Sequence, residues 1–157
     1  MNVRMANEND YMQFAELKWL HCKEDEFIYG EQSLKDCNKK EFMEEYVDFL
    51  KYDNSYKIFV IEDNGIILSS MFLHMIRKLP KPNGKTKFIG YITNVFTKEE
   101  YRNKGIGTEL LNHIKDYAIN EKCELLFVFP SNNSIKWYER NGFNKENDIY
   151  ELMINEE

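Results

Sequence analysis

Tyr101-Arg102-Asn103-Lys104-Gly105-Ile106-Gly107-Thr108-Glu109 is the stretch on which the fold turns. It stands between a strand-like run, Phe88 to Thr97, and an amphipathic helix-like run, Gly107 to Ile119. A glycine-rich turn that opens a helix after a strand builds an anion site. The first N–H groups of the helix have no intrahelical acceptor, and the helix dipole adds partial positive charge there. Gly105 and Gly107 allow the backbone to approach a ligand with no Cβ in the way. Arg102 and Lys104 add full charge, so the expected ligand is a phosphate or pyrophosphate.

The Walker pattern needs a closing Gly-Lys-Ser/Thr, which is missing, and the Rossmann pattern needs a third glycine where Leu110 stands. A different nucleotide-binding domain is disfavoured on that ground. What remains is Arg-x-x-Gly-x-Gly between this strand and this helix. It resembles the signature of the GCN5-related N-acetyltransferase family, Arg/Gln-x-x-Gly-x-Gly/Ala, whose turn binds the pyrophosphate of acetyl-coenzyme A. A second segment, Ser131-Asn132-Asn133-Ser134-Ile135-Lys136-Trp137-Tyr138-Glu139-Arg140-Asn141-Gly142-Phe143, resembles the late helix of the same family. Its physical reading agrees, with Ser131 as N-cap, Gly142 at the C-terminal turn and Phe143 as the apolar contact beyond it.

The resemblance implies site residues. Arg102, Asn103, Lys104, Gly105, Ile106, Gly107, Thr108 and Ser131 would bind the cofactor. Backbone groups of Val95, Phe96 and Thr97 would hold its pantetheine arm, and one N–H there would polarise the thioester carbonyl. Tyr138 would be the general acid beside the thioester sulfur. No metal is implied. The physical alternative for Tyr138 is a half-buried aromatic, and for Val95 and Phe96 it is core packing.

The 157 residues suit one domain, 1–157, with a sizeable core. The composition, 43% hydrophobic and 31% charged, fits a soluble protein. No apolar run nears the ~20 residues of a membrane helix, and the N-terminus has no signal-peptide core. Cys22, Cys37 and Cys123 are odd in number and lack metal spacing, which points to reduced thiols in a cytoplasmic protein. His21, His74 and His113 are scattered and suggest no metal site. A net charge of −6 argues against nucleic-acid binding.

Hydrophobic periodicity orders the rest. Asn2 to Ala6 reads as a strand. Asn7 to Asp10 starts a helix continuing through Leu20, and Lys23 to Lys39 reads as a long polar connection. Lys40 to Tyr52 has helical spacing. Tyr56 to Glu62 and Ile66 to Arg77 read as strands joined by the hairpin signal Asn64-Gly65. Leu79 to Lys87 is a basic turn. Cys123 to Phe129 reads as a strand buried on both faces, and Asn147 to Ile154 as a last strand. The expectation is an α/β fold with a mixed sheet, in the order strand, helix, helix, three strands, helix, strand, helix, strand. The family's order matches, and in it the two parallel strands splay to admit the cofactor arm.

Acetyl transfer to an amine needs a neutral amine, a stabilised oxyanion and a departing thiolate. The strand before the anion turn, Ile89 to Val95, has no carboxylate to act as base. The base is then absent, works through waters or comes from elsewhere, with Glu24, Asp25 and Glu26 as candidates whose simpler reading is a solvated acidic loop. The resemblance puts the acceptor pocket between Lys23–Lys39 and Leu79–Lys87. The expected function is acetyl transfer to a small-molecule or peptide amine, in an assembly compatible with a homodimer and without nucleic acid or membrane. The alternative is a noncatalytic acyl-coenzyme A sensor of the same fold.

Overall fold

Asn64 and Gly65 set the first hairpin. Both have positive φ, 50° and 80°, as a type I′ turn requires. They join β2 (Tyr56–Asp63) to β3 (Ile66–Arg77). A computed structural model of the chain describes residues 1–30, 34–145 and 149–154. β1 (Asn2–Met5) pairs antiparallel with β2, and β4 (Phe88–Thr97) antiparallel with β3. β5 (Cys123–Phe127) runs parallel to β4, giving the order β1-β2-β3-β4-β5. The helices are α1 (Tyr11–Tyr29), α2 (Lys39–Tyr52), α3 (Ile106–Asn120) and α4 (Ile135–Arg140).

Period-two alternation on β2 and β3 divides the core into two layers. Phe59, Ile61, Met71 and Leu73 pack with Ile106, Leu110, Leu111 and Ile114 of α3. Their neighbours Ile58, Val60 and Phe72 pack with Phe14 and Leu17 of α1 and Leu50 of α2. The apolar stripe read for α3 is its buried face, Ala118 included. At the start of α1, Arg4 makes two bonds of 2.8 Å to the Asp10 carboxylate and one of 2.9 Å to Glu62. This ties the helix start to β1 and β2.

Two irregularities in β4 make room for a site. β4 and β5 pair at Phe88↔Cys123, Gly90↔Leu126 and Tyr91↔Phe127, and no further along. The pairing is close because Gly90 has no Cβ. One built there would lie 2.5 Å from Leu126 Cδ2 and 2.9 Å from Leu73 Cδ1. Beyond Tyr91 the strands part. There the β3–β4 register shifts, with Ser70 opposite Phe96 and Phe72 opposite Thr93. Two residues, Asn94 and Val95, then stand against Met71, which is a β-bulge. Asn94 takes a left-handed φ of 47°, and its Nδ2 donates to Tyr46 Oη of α2 at 2.8 Å.

The structure corrects four expectations. α1 runs to Tyr29, so Glu24, Asp25 and Glu26 are helical, not in a loop. The apolar period fades there because Phe27 and Ile28 face solvent, and the stop is Gly30 in the left-handed C-cap conformation. β5 ends at Phe127 and no residue in it is fully buried, because one of its edges has no strand among the described residues. Residues 149–154 form no strand, and Ile149, Tyr150 and Leu152 lie exposed; the remainder of that expected strand, 147–148, falls outside the described residues. Finally, Ser134 and not Ser131 holds the N-cap position of α4, and its side chain caps none of the helix N–H groups. Ser131 sits one turn earlier, where its carbonyl accepts from Ser134 N–H and Oγ–H, each at 2.9 Å.

Candidate active site

The N-terminus of α3 opens onto a cavity of about 720 Å³. Its N-cap, Gly105, has φ 80°, a left-handed conformation that costs other residues strain. No side chain caps this helix, whereas Asn38 Oδ1 accepts from Glu41 N–H at the start of α2. The first N–H groups of α3 therefore lack a side-chain acceptor, and the dipole makes that end positive. Val95, Thr97, Arg102, Asn103, Gly105, Ile106, Gly107 and Thr108 line the cavity.

Three residues expected to bind the cofactor do not line this cavity. Phe96 is buried, packing its ring into the α1 layer. Lys104 rests its ammonium over the Tyr101 ring at 5.5 Å. Ser131 lines a second cavity. A Cβ on Gly107 would meet Trp137 Cζ2 at 3.4 Å, so this glycine faces the tryptophan. Trp137 Nε1 donates to Thr108 Oγ1 at 3.3 Å, joining α4 to the first turn of α3. The backbone carbonyls of Phe96 and Thr97 already accept bonds, from Ser69 Oγ at 3.0 Å and Arg102 Nε at 2.8 Å.

The second cavity, about 520 Å³, fills the gap between the parted strands. Tyr138 reaches it from α4, and His21, Asp25 and Tyr29 from α1. Val95, Ser134 and Trp137 line both cavities, so the two adjoin across the bulge. α4 is short, and its end is fixed by a Schellman turn. Phe143 N–H donates to Tyr138 O at 3.1 Å and Gly142 N–H to Glu139 O at 3.0 Å, with Gly142 at φ 93°. The Tyr138 and Phe143 rings pack edge to face at 5.3 Å. Burial, and secondarily Tyr91, push the Tyr138 hydroxyl up to about 12, so it keeps its proton at neutral pH. No described residue hydrogen-bonds that hydroxyl, and it is not sealed from solvent.

Little of the two segments expected around the acceptor lines this cavity. Of Lys23–Lys39, only Asp25 and Tyr29 line this cavity among the described residues, and nothing from Leu79–Lys87 does. That basic turn adjoins the opposite end of β4. Lys87 N–H donates to Lys122 O at 2.9 Å, just before β5, and the Lys78 ammonium bonds Glu124. Glu24 is engaged by Arg102 at 2.7 Å. Sequence reading passed over His21, which lies beside the bulge with its ring 5.4 Å from Phe96 and Nε2 3.4 Å from Asp25 Oδ2. The legible signal was the i,i+4 spacing of His21 and Asp25 on one helix face. Among the described residues, no three His, Cys, Asp or Glu side chains gather as a metal-binding group, and no helix is long and apolar enough to cross a membrane.

Residues 14–143 match the model of the Acetyltransferase (GNAT) family. Solved structures share the fold. One is a predicted acetyltransferase with acetyl-CoA from Clostridium acetobutylicum, 23% identical, with 98% of this chain and 96% of that chain covered and a TM-score of 0.76. Another is a GCN5-related N-acetyltransferase from Ralstonia eutropha JMP134, 20% identical over 98% and 99%, TM-score 0.75. A third is glucosamine-6-phosphate N-acetyltransferase from Arabidopsis thaliana, 18% identical over 98% of each chain, TM-score 0.67.

Proposed function

The chain belongs to the acetyltransferase (GNAT) family, and we propose that residues 1–157 act as one domain moving the acetyl group of acetyl-coenzyme A to the amine of a small molecule or peptide, by direct attack with both bound. The observation that carries this is the pair of adjoining cavities. One ends at the uncapped N-terminus of α3 beside Arg102, the other holds Tyr138, and they meet at Val95, Ser134 and Trp137. A cytoplasmic site of action belongs to the same reading.

The residues fit the cosubstrate. The N–H groups at the start of α3 and the Arg102 guanidinium would hold the pyrophosphate. Val95, between the cavities, would flank the arm that follows. Bound there, acetyl-coenzyme A supplies an activated acyl group as a thioester. The chain contributes position and electrostatics.

Tyr138 acts on the departing sulfur. Burial keeps its hydroxyl protonated at neutral pH, so a proton is available at the sulfur when the thiolate departs. Tyr138 is the general acid of this reading, its Oη–H donating to the developing thiolate.

Calorimetry with coenzyme A, followed by thioester consumption against a panel of primary amines, tests the reading. Micromolar binding and amine-dependent thiol release are expected. Binding without turnover of any amine would favour the sensor alternative, and absence of binding would remove the cofactor assignment.

A further inference from the structure

Amines are mostly protonated at neutral pH, so the acceptor must lose a proton before it attacks. The strand before the turn offers no carboxylate. The described titratable groups lining the second cavity are Lys18, His21, Asp25, Tyr29, Tyr91 and Tyr138. Lys18 is a cation, and Tyr138 holds its proton. Glu24 is held by Arg102, and Glu26 accepts from Leu34 N–H at 3.4 Å and does not line the cavity. Tyr29 and Tyr91 carry phenols, which as a class are proton donors rather than acceptors at neutral pH, and that leaves the imidazole and Asp25.

We propose that His21 is the base that takes a proton from the acceptor ammonium and that Asp25 is the positioning residue for its ring. This rests on the acetyl-transfer reading of the same cleft. His21 has two close neighbours. The Phe96 ring lies at 5.4 Å, tilted 40° to it. Asp25 Oδ2 stands 3.4 Å from Nε2, one helical turn along α1. His21 also borders a small void whose lining includes Lys18, Tyr46 and Asn94. The side chain keeps 28% exposure, enough to meet a ligand in the cavity.

The charges around His21 set its protonation. Burial lowers its proton affinity most, and Lys18 and Arg102 add to that. Asp25 and Glu24 oppose it. The net direction is downward, which leaves the imidazole neutral and able to accept at pH 7. The other titratable groups facing it are phenols, Tyr46 from α2, Tyr91 from β4 and Tyr138 from α4.

The step balances. An N–H bond of the ammonium breaks, its proton goes to the imidazole, and the electron pair stays on nitrogen. That pair forms the bond to the acetyl carbon, while the C–S pair leaves with sulfur. A second proton from the same nitrogen ends on sulfur as thiol, and His21 returns its proton to water.

The test is a pH series of kcat/KM from pH 5.5 to 10 with acetyl-coenzyme A and 2-phenylethylamine, whose ring suits the Tyr91–Phe129 wall. Wild type should plateau above an apparent pKa below the ordinary ~6.5 of histidine. His21→Gln should fall roughly 10²–10⁴-fold at pH 7 and climb about tenfold per pH unit with the neutral amine, converging on wild type near pH 10. Asp25→Asn should move the lower limb to lower pH, since its charge holds the imidazole proton. A proton NMR titration of His21 gives the same pKa without an acceptor, and a kinetic pKa that differs from the His21 value would overturn the assignment. Matching profiles for wild type and His21→Gln, with coenzyme A binding intact, would overturn the base alone. Failure of wild type to bind coenzyme A would overturn both readings.

Discussion

Arg102 Nη2 donates to Glu24 Oε2 at 2.7 Å, tying the turn before α3 to the last third of α1. The same guanidinium donates through Nε to Thr97 O at 2.8 Å and lies over the Phe96 ring at 5.4 Å. The residue expected to bind phosphate is thus a bracket between β4, α1 and the anion turn. A phosphate would share or replace Glu24 as its partner.

That exchange is measurable. Arg102→Ala should cost about 1.5–3 kcal/mol of coenzyme A binding, the size of a hydrogen bond to a charged group. Glu24→Gln should strengthen binding, because it leaves the guanidinium uncompensated. Both effects should shrink in high salt. Calorimetry of the two variants checks this, and weaker binding by Glu24→Gln would mean the pair serves only to hold α1.

Gly107 faces Trp137, which lines both cavities. In Gly107→Ala the new Cβ makes an ordinary 3.4 Å contact with the ring, so fold and binding should survive. In Gly107→Val the added branches push Trp137 and Thr108 apart. Coenzyme A affinity should then drop by about tenfold or more, ~1.4 kcal/mol, with the melting temperature lowered less than for a core truncation. Wild-type affinity in folded Gly107→Val would remove this turn from the cofactor site.

Tyr138→Phe keeps the ring and its packing on Phe143 while deleting the donor. Turnover should fall about 10²–10³-fold, as when one preorganised donor is lost, with coenzyme A affinity little changed. The difference should vanish for a thioester whose leaving thiol is much more acidic. Unchanged kcat with the natural thioester would leave Tyr138 a packing residue.

Asp10 is nearly fully buried, and its two bonds from Arg4, followed by Asn7 N–H, hold its carboxyl below the usual carboxylate range. A depressed folded-state value stabilises the fold above the unfolded value of about 3.9 and loses that contribution as pH falls through the folded one. Stability should therefore decline below about pH 4, less steeply in Asp10→Asn. At pH 7 that substitution should cost about 1.5–3 kcal/mol. Denaturant melts at pH 3, 4 and 7 measure both, and an equal decline in the two proteins would assign acid lability elsewhere.

Local chemistry alone determined most elements. Asn64-Gly65 fixed a hairpin because both residues tolerate positive φ. The Ile106–Ala118 stripe fixed α3, and Arg102 to Thr108 marked a helix start suited to anions. Each signal is carried by neighbours in the chain, so the sequence displays it. The length of α1 did not show, because its last turns are solvated and carry no apolar period. Nor did the absence of a strand at 149–154, since pairing depends on a partner edge far away in sequence.

The site divides the same way. Tyr138 was legible, because it stands in a local pattern closed by Gly142 and Phe143. His21 was not. Its use depends on α1 lying across the bulge at Asn94, on the parting of β4 and β5 beyond Tyr91, and on burial that shifts its proton affinity. Those relationships join residues from 36 positions apart, as Tyr91 and Phe127 are, to more than seventy, as His21 and Asn94 are, and only tertiary packing brings them together.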